Sequence, residues 1–111
     1  MSQNSIPIPI PIPQLGAAMA LVQLLTEYPH LPHASWSVAL DTGSLHGHIH
    51  TASFESLTGF AAVLGGSIRP GQDFPVAGRM MRPHRLHSMW RDVRVEVVAV
   101  LPAPVQTAVA A

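Results

Sequence analysis

Residues 93–101 read VRVEVVAVL, and this stretch decides the fold. Val93, Val95 and Val97 alternate with Arg94 and Glu96, the two-residue period of a strand whose faces meet different surroundings. From Val97 onward every residue is apolar. The far part is therefore apolar on both faces, as expected of a central strand of a sheet. Pro102 stops it, and the Ala-rich residues 102–111 read as a disordered tail.

Upstream, Arg91 and Asp92 make a turn, and residues 80–90 read as extended. Pro83 removes a backbone donor from that run, which predicts a sheet edge or a bulge. Residues 67–78 hold two Pro and two Gly and predict a short strand around Ile68, then a loop. Residues 36–40 and 45–50 alternate on either side of Asp41 and Gly43, as the arms of a β-hairpin do.

Two other segments have helical spacing. Ser53 is placed to cap residues 54–64, whose inner face would be Phe54, Leu57, Ala61 and Leu64, and Gly65 and Gly66 end the run. In residues 14–28, Leu15, Ala18, Val22 and Leu25 form one stripe, widened by Met19, Leu21, Leu24 and Tyr28. Pro13 suits the first turn and Pro29 stops the helix. A stripe this wide asks for cover on more than one side, from a central position or from a second subunit.

The resulting order, arm-α-β-β-α-β-β-β, is α+β: two helices packed on one face of a mostly antiparallel sheet. A chain of 111 residues fits one domain, here residues 14–101. The preceding arm, residues 1–13, alternates Ile and Pro from position 6. In an extended chain Pro7, Pro9, Pro11 and Pro13 strip donors from one edge only. Ile6, Ile8, Ile10 and Ile12 keep theirs and share one face, so the arm is expected to dock on its own sheet or on a second copy. The other reading is a polyproline II arm about 25 Å long.

Only 11% of the residues are charged, against roughly 25% in an average soluble protein. Apolar surface is thus left for a partner, either a second copy in a homodimer or another protein. The absence of Cys excludes disulfides, thiolate zinc sites and Cys nucleophiles. No apolar run reaches the ~20 residues of a membrane span. No Lys or Arg precedes the first helix to begin a signal peptide, so the expected location is cytoplasmic. Residues 1–68 carry Glu27, Asp41 and Glu55 with no Lys or Arg, a formal −3. Residues 69–111 hold six Arg against Asp73, Asp92 and Glu96, a formal +3. The basic half suits an anionic partner, or the acidic half of the same or another copy.

Two constellations carry chemistry. His46, His48 and His50 alternate along one face of the second hairpin strand, where neighbouring imidazoles can chelate a divalent metal. The run His48-x-His50-x4-Glu55 resembles the two-His, one-Glu metal element of the cupin first motif, which implies His48, His50 and Glu55 as ligands; with His46 from the shared strand face, the candidate metal set is His46, His48 and His50, completed by Glu55 or by His84 and His87. It departs from that motif in placing Gly43 five rather than six positions ahead of His48, and no second cupin motif follows. The other reading of the three His is a solvated hairpin face.

Residues 79–94 hold Arg79, Arg82, Arg85, Arg91 and Arg94 around His84, His87 and Trp90, opposed only by Asp92. Guanidinium groups bind phosphate in bidentate fashion, and an exposed Trp can stack on bases, so this segment is a nucleic-acid or phosphate candidate. The bland reading puts Trp90 in the core and the Arg on a solvated face, paired in part to Asp92 and Glu96. No Ser/His/Asp elbow, phosphate-binding Gly loop or HExxH occurs, and catalysis is not expected. The Ala-, Val-, Pro- and Arg-rich texture is notable for its lack of Lys. With Ala34-Ser-Trp36 ahead of the hairpin and Trp90-Arg-Asp-Val93 ahead of the last strand, it resembles small proteins of actinobacterial genomes, phages and mobile elements. That resemblance implies no particular activity. The leading expectation is a non-catalytic, self-associating accessory or regulatory module.

Overall fold

The computed structural model describes residues 12–39, 42–50 and 53–104. The chain runs α1 (Ile12–Glu27), β1 (Ala34–Val38), β2 (Leu45–Ile49), α2 (Phe54–Leu64), β3 (Ser67–Pro70), β4 (Phe74–Val76), β5 (Arg79–Trp90) and β6 (Val93–Pro102). The strands form one sheet in the order β1-β2-β6-β5-β3, with β4 also paired to β5. All neighbours are antiparallel except β2 and β6. The fold is α+β, as the residue patterns predict.

Strand β6 lies between β2 and β5, the interior place expected for its double-sided apolar run. Val95, Val97 and Ala99 are buried beneath the helices. They pack with Leu45 and Ile49 of β2, Leu86 of β5, Leu24 of α1, and Leu57, Phe60 and Leu64 of α2. On α2, Ser53 caps the helix by accepting from the Ser56 N–H, and the Gly65 N–H closes it on the Ala61 carbonyl. The buried stripe is Leu57, Phe60 and Leu64; the expected Phe54 is exposed and Ala61 only half-buried. A spacing of 3 and then 4 from Leu57 keeps these side chains on one line of the helix.

The first helix departs from expectation in two ways. It begins at Ile12, so the last two positions assigned to the arm belong to α1. The arm contacts expected from Ile6, Ile8 and Ile10 lie outside the described residues, as does the Ile12 side chain. Its buried line is Ala17, Ala20 and Leu24, with Leu21 half-buried. The stripe picked out by spacing, Leu15, Ala18, Val22 and Leu25, points to solvent. Small residues at 17 and 20 let the helix lie close to the sheet, and closeness rather than side-chain size selects the inner face.

Pro83 occupies an interior strand, which corrects the expected edge position, because β5 has β6 on one side and β3 and β4 on the other. The bulge, however, exists. Pro70 faces His84 and Phe74 faces Met81, so residues 71–73 span the stretch that Arg82 and Pro83 span on β5. The Pro83 carbonyl accepts from the Gly71 N–H at 2.7 Å, so its missing donor faces this break in the ladder.

Residues 74–76, expected as loop, are strand β4 of a tight hairpin. Val76 and Arg79 pair across Ala77 (φ 49°) and Gly78 (φ 81°), the two positive dihedrals of a type I′ turn. Alanine is a poor occupant of that position, whereas Asn adopts it readily. Ala77→Asn is expected to raise unfolding free energy by about 0.5–1 kcal/mol in urea denaturation; an unchanged midpoint would count against the turn.

Candidate functional site

The helices cover one face of the sheet, and among the described residues the other face is bare. Residue parity along the strands assigns each side chain to one of these faces. Register then sets rows across the bare face. One row reads Ser37, His46, Glu96, His87, Ser67, and the next reads Ser35, His48, Val98, Arg85, Arg69. The two sequence constellations thus meet: the His strand β2 and the Arg-bearing strand β5 flank β6 on the same surface. Arg94 lies on this face too, beside Met89.

Glu96 is the hub. Its Oε1 lies 3.1 Å from His46 Nδ1, and its Oε2 lies 3.6 Å from His87 Nε2 and 3.9 Å from Arg85 Nε. On this face one carboxylate stands against the guanidinium groups of Arg69, Arg85 and Arg94, which leaves the surface cationic. At one end of the row, His50 Nε2 and Ser35 Oγ are 2.5 Å apart, and the His48 and His50 rings lie 5.4 Å apart. Arg69 stands directly across the ladder from Arg85. Among the described residues, Arg69, Arg79 and Arg94 have no carboxylate within ion-pairing distance.

Several sequence candidates are not brought to this face. Glu55 lies on α2, in the helix layer, with the sheet between it and the three His. The metal set drawn from the cupin resemblance is therefore not assembled, and the two-helix architecture is not an all-β barrel. Among the described residues no group of three or more His, Asp or Glu is arranged to hold a metal ion. Nor is the five-Arg stripe continuous. Arg82 points to the helix side and makes a two-pronged bond to Asp73, 2.6 and 3.1 Å. That bond holds the Asp73 carboxyl below its ordinary range. Arg91 is tied to Glu27 and lies over the Trp90 ring at 4.8 Å. Trp90 itself is half-buried: its Nε1–H donates to the Ala20 carbonyl at 3.1 Å and its ring meets Tyr28 edge-on. It anchors α1 rather than offering a stacking surface. Sequence reasoning named Glu96 only as a partner of the Arg residues on a solvated face, which its 3.9 Å approach to Arg85 Nε matches, and it missed Arg69 as a member of that face.

His84 also sits on the helix side, its ring edge-on to Phe54 at 5.4 Å. Burial, with Arg82 adding to it, pushes its imidazole below the ordinary value. The neutral form is thus favoured in the fold, so its contribution is full above about pH 6.5 and is lost on acidification below that. His84→Gln is expected to flatten the fall of melting temperature as the pH drops below about 6.5; an identical slope in the variant would remove His84 as its cause.

A second surface lies on the outer side of α1. Met19 is 54% exposed and Val22 64%, flanked by exposed Leu15 and Leu25. Among the described residues no helix is long and apolar enough to cross a membrane. Set beside known protein families, curated proteins and solved structures, the chain matches none of them.

Proposed function

We propose that the protein is a small non-catalytic interaction module that self-associates, with the outer stripe of α1 as the contact between two copies and an accessory or regulatory role. The exposed stripe carries this reading. Leu15, Ala18, Val22 and Leu25 follow a 3-4-3 spacing, the seam of a helix pair. That spacing is symmetric about position 20. Two copies crossing antiparallel on a two-fold axis would set Leu15 against the second copy's Leu25, and Ala18 against its Val22. Large then meets large at the ends and small meets larger at the centre, so one surface complements itself. Charge does not oppose the pairing, because Glu27 at the C-terminal end is the only charged residue of α1.

The test is sedimentation equilibrium of the full chain with Val22→Glu alongside. Wild type is expected to dimerise at micromolar concentration. Val22→Glu, which in the monomer lies in solvent, is expected to weaken dimerisation by about 100-fold while leaving the thermal melt of the dissociated chain unchanged, since a buried unpaired charge is what the dimer would have to accept. A wild-type chain that stays monomeric at about 100 μM, or a Val22→Glu dimer of undiminished affinity, overturns the reading.

A further inference from the structure

The bare face of the sheet contains a groove with a volume of about 450 Å³, between the β3–β4 bulge and β2. Its walls differ in chemistry. Pro83, Val98 and Val100 supply an apolar floor, Phe74 one apolar wall, and Arg85, His48 and Gln72 the polar sides. This is the usual composition of a small-molecule site, mostly apolar with a few placed polar groups, and its size lies within the usual range of roughly 300–1,000 Å³.

Arg85 is held in place. A Cβ on Gly71 would lie 2.7 Å from Arg85 Nη1 and 2.8 Å from Pro83 Cγ, so the guanidinium occupies the space a side chain at position 71 would fill. The bulge places that glycine there, and Glu96 at 3.9 Å steadies the Nε end. Directly across the ladder, beside the groove rather than in its lining, stands Arg69, exposed and without a carboxylate partner among the described residues. Like charges facing each other across a sheet destabilise it. Two arginines in that position, one of them seated by a glycine, constitute a cost to the fold that an anion between them would remove.

We propose that this groove binds a small organic anion, an oxyanion group borne on an apolar body of aromatic-ring size. The carboxylate or phosphate lies between Arg69 and Arg85, where planar guanidinium groups can donate in pairs. The apolar body lies on Pro83, Val98 and Phe74. Neither half suffices alone: Arg69 is exposed and Arg85 only half-buried, so a bare ion gains little there, while an uncharged ring leaves both guanidinium groups without a counter-charge. The site lies on the opposite face of the sheet from α1, so it stands or falls independently of self-association.

The experiment is a titration of the isotope-labelled full chain, followed by amide chemical shifts, with phenyl phosphate and benzoate. Benzyl alcohol and inorganic phosphate serve as probes lacking one half each. Saturable shifts confined to residues 69–74, His48, Arg85 and Val98 are expected with at least one of the two organic anions. Either control should bind at least tenfold more weakly. Arg85→Gln and Arg69→Gln should each weaken binding at least tenfold. Arg69→Gln supplies a second readout, since relief of the facing charges should leave its melting temperature equal to or above that of wild type. Absence of saturation with both organic anions, inorganic phosphate binding as tightly as phenyl phosphate, or unaltered affinity in Arg69→Gln overturns the proposal.

Discussion

Gly66→Ala is expected to lower unfolding free energy by about 3–4 kcal/mol, combining left-handed strain with a steric conflict. Gly66 has φ of 91°, and a Cβ there would stand 2.1 Å from the His87 carbonyl oxygen and 2.9 Å from Ser88 Cβ. The obstacle is backbone, which cannot swing aside as the end of a long side chain can. At this point the chain leaves α2 and enters β3 directly over β5, and Ser88 Oγ donates to the Leu64 carbonyl at 2.7 Å beside it. Gly78→Ala isolates the strain component, because its φ of 81° is similar and nothing lies within 4 Å of its would-be Cβ. That variant should lose only about 1–2 kcal/mol. Equal losses in the two, measured by urea denaturation, would show that the close approach at Gly66 is absent. The consequence reaches the bare face as well, since β3 carries Arg69 and any shift of its entry moves that residue relative to Arg85.

The second large effect is Phe60→Ala, expected to cost about 3–5 kcal/mol. Phe60 is fully buried, and its ring meets Trp36 edge-on at a centroid distance of 5.9 Å. Trp36 in turn lies over Gly47, where a Cβ would come within 2.8 Å of the indole, so β1, β2 and α2 are joined through one aromatic pair. Truncation leaves a cavity at the junction of both helix-facing layers, with no neighbour free to fill it. Against a typical domain stability of roughly 5–15 kcal/mol, this loss is a large fraction. Met19→Ala on the outer stripe of α1 should change the stability of the dissociated chain by less than about 0.5 kcal/mol. Comparable losses at Phe60 and Met19 would contradict the division of apolar residues between a core and a partner surface.

Local information determined a good deal. The doubled apolar faces of VRVEVVAVL identified the interior strand, because strands paired on both edges half-bury Val98 and Val100 even on the face that the helices leave open. Ser53 and Gly65 delimited α2 to the residue, because caps satisfy backbone groups of their own helix and need nothing distant. The shared face of His46, His48 and His50 followed from a period of two. Tertiary structure alone decided the rest. The inner face of α1 was settled by how near Ala17 and Ala20 could bring its backbone to the sheet, whereas hydrophobic spacing favoured the stripe that stays outside. Pro83 was admitted to an interior strand by a bulge on its neighbour, which no reading of β5 by itself contains. The parallel pairing of β2 with β6 placed Glu96 beside His46, fifty positions away in the chain. Register between strands distant in sequence sets which side chains become neighbours, so the chemistry of the bare face is contained in no single strand.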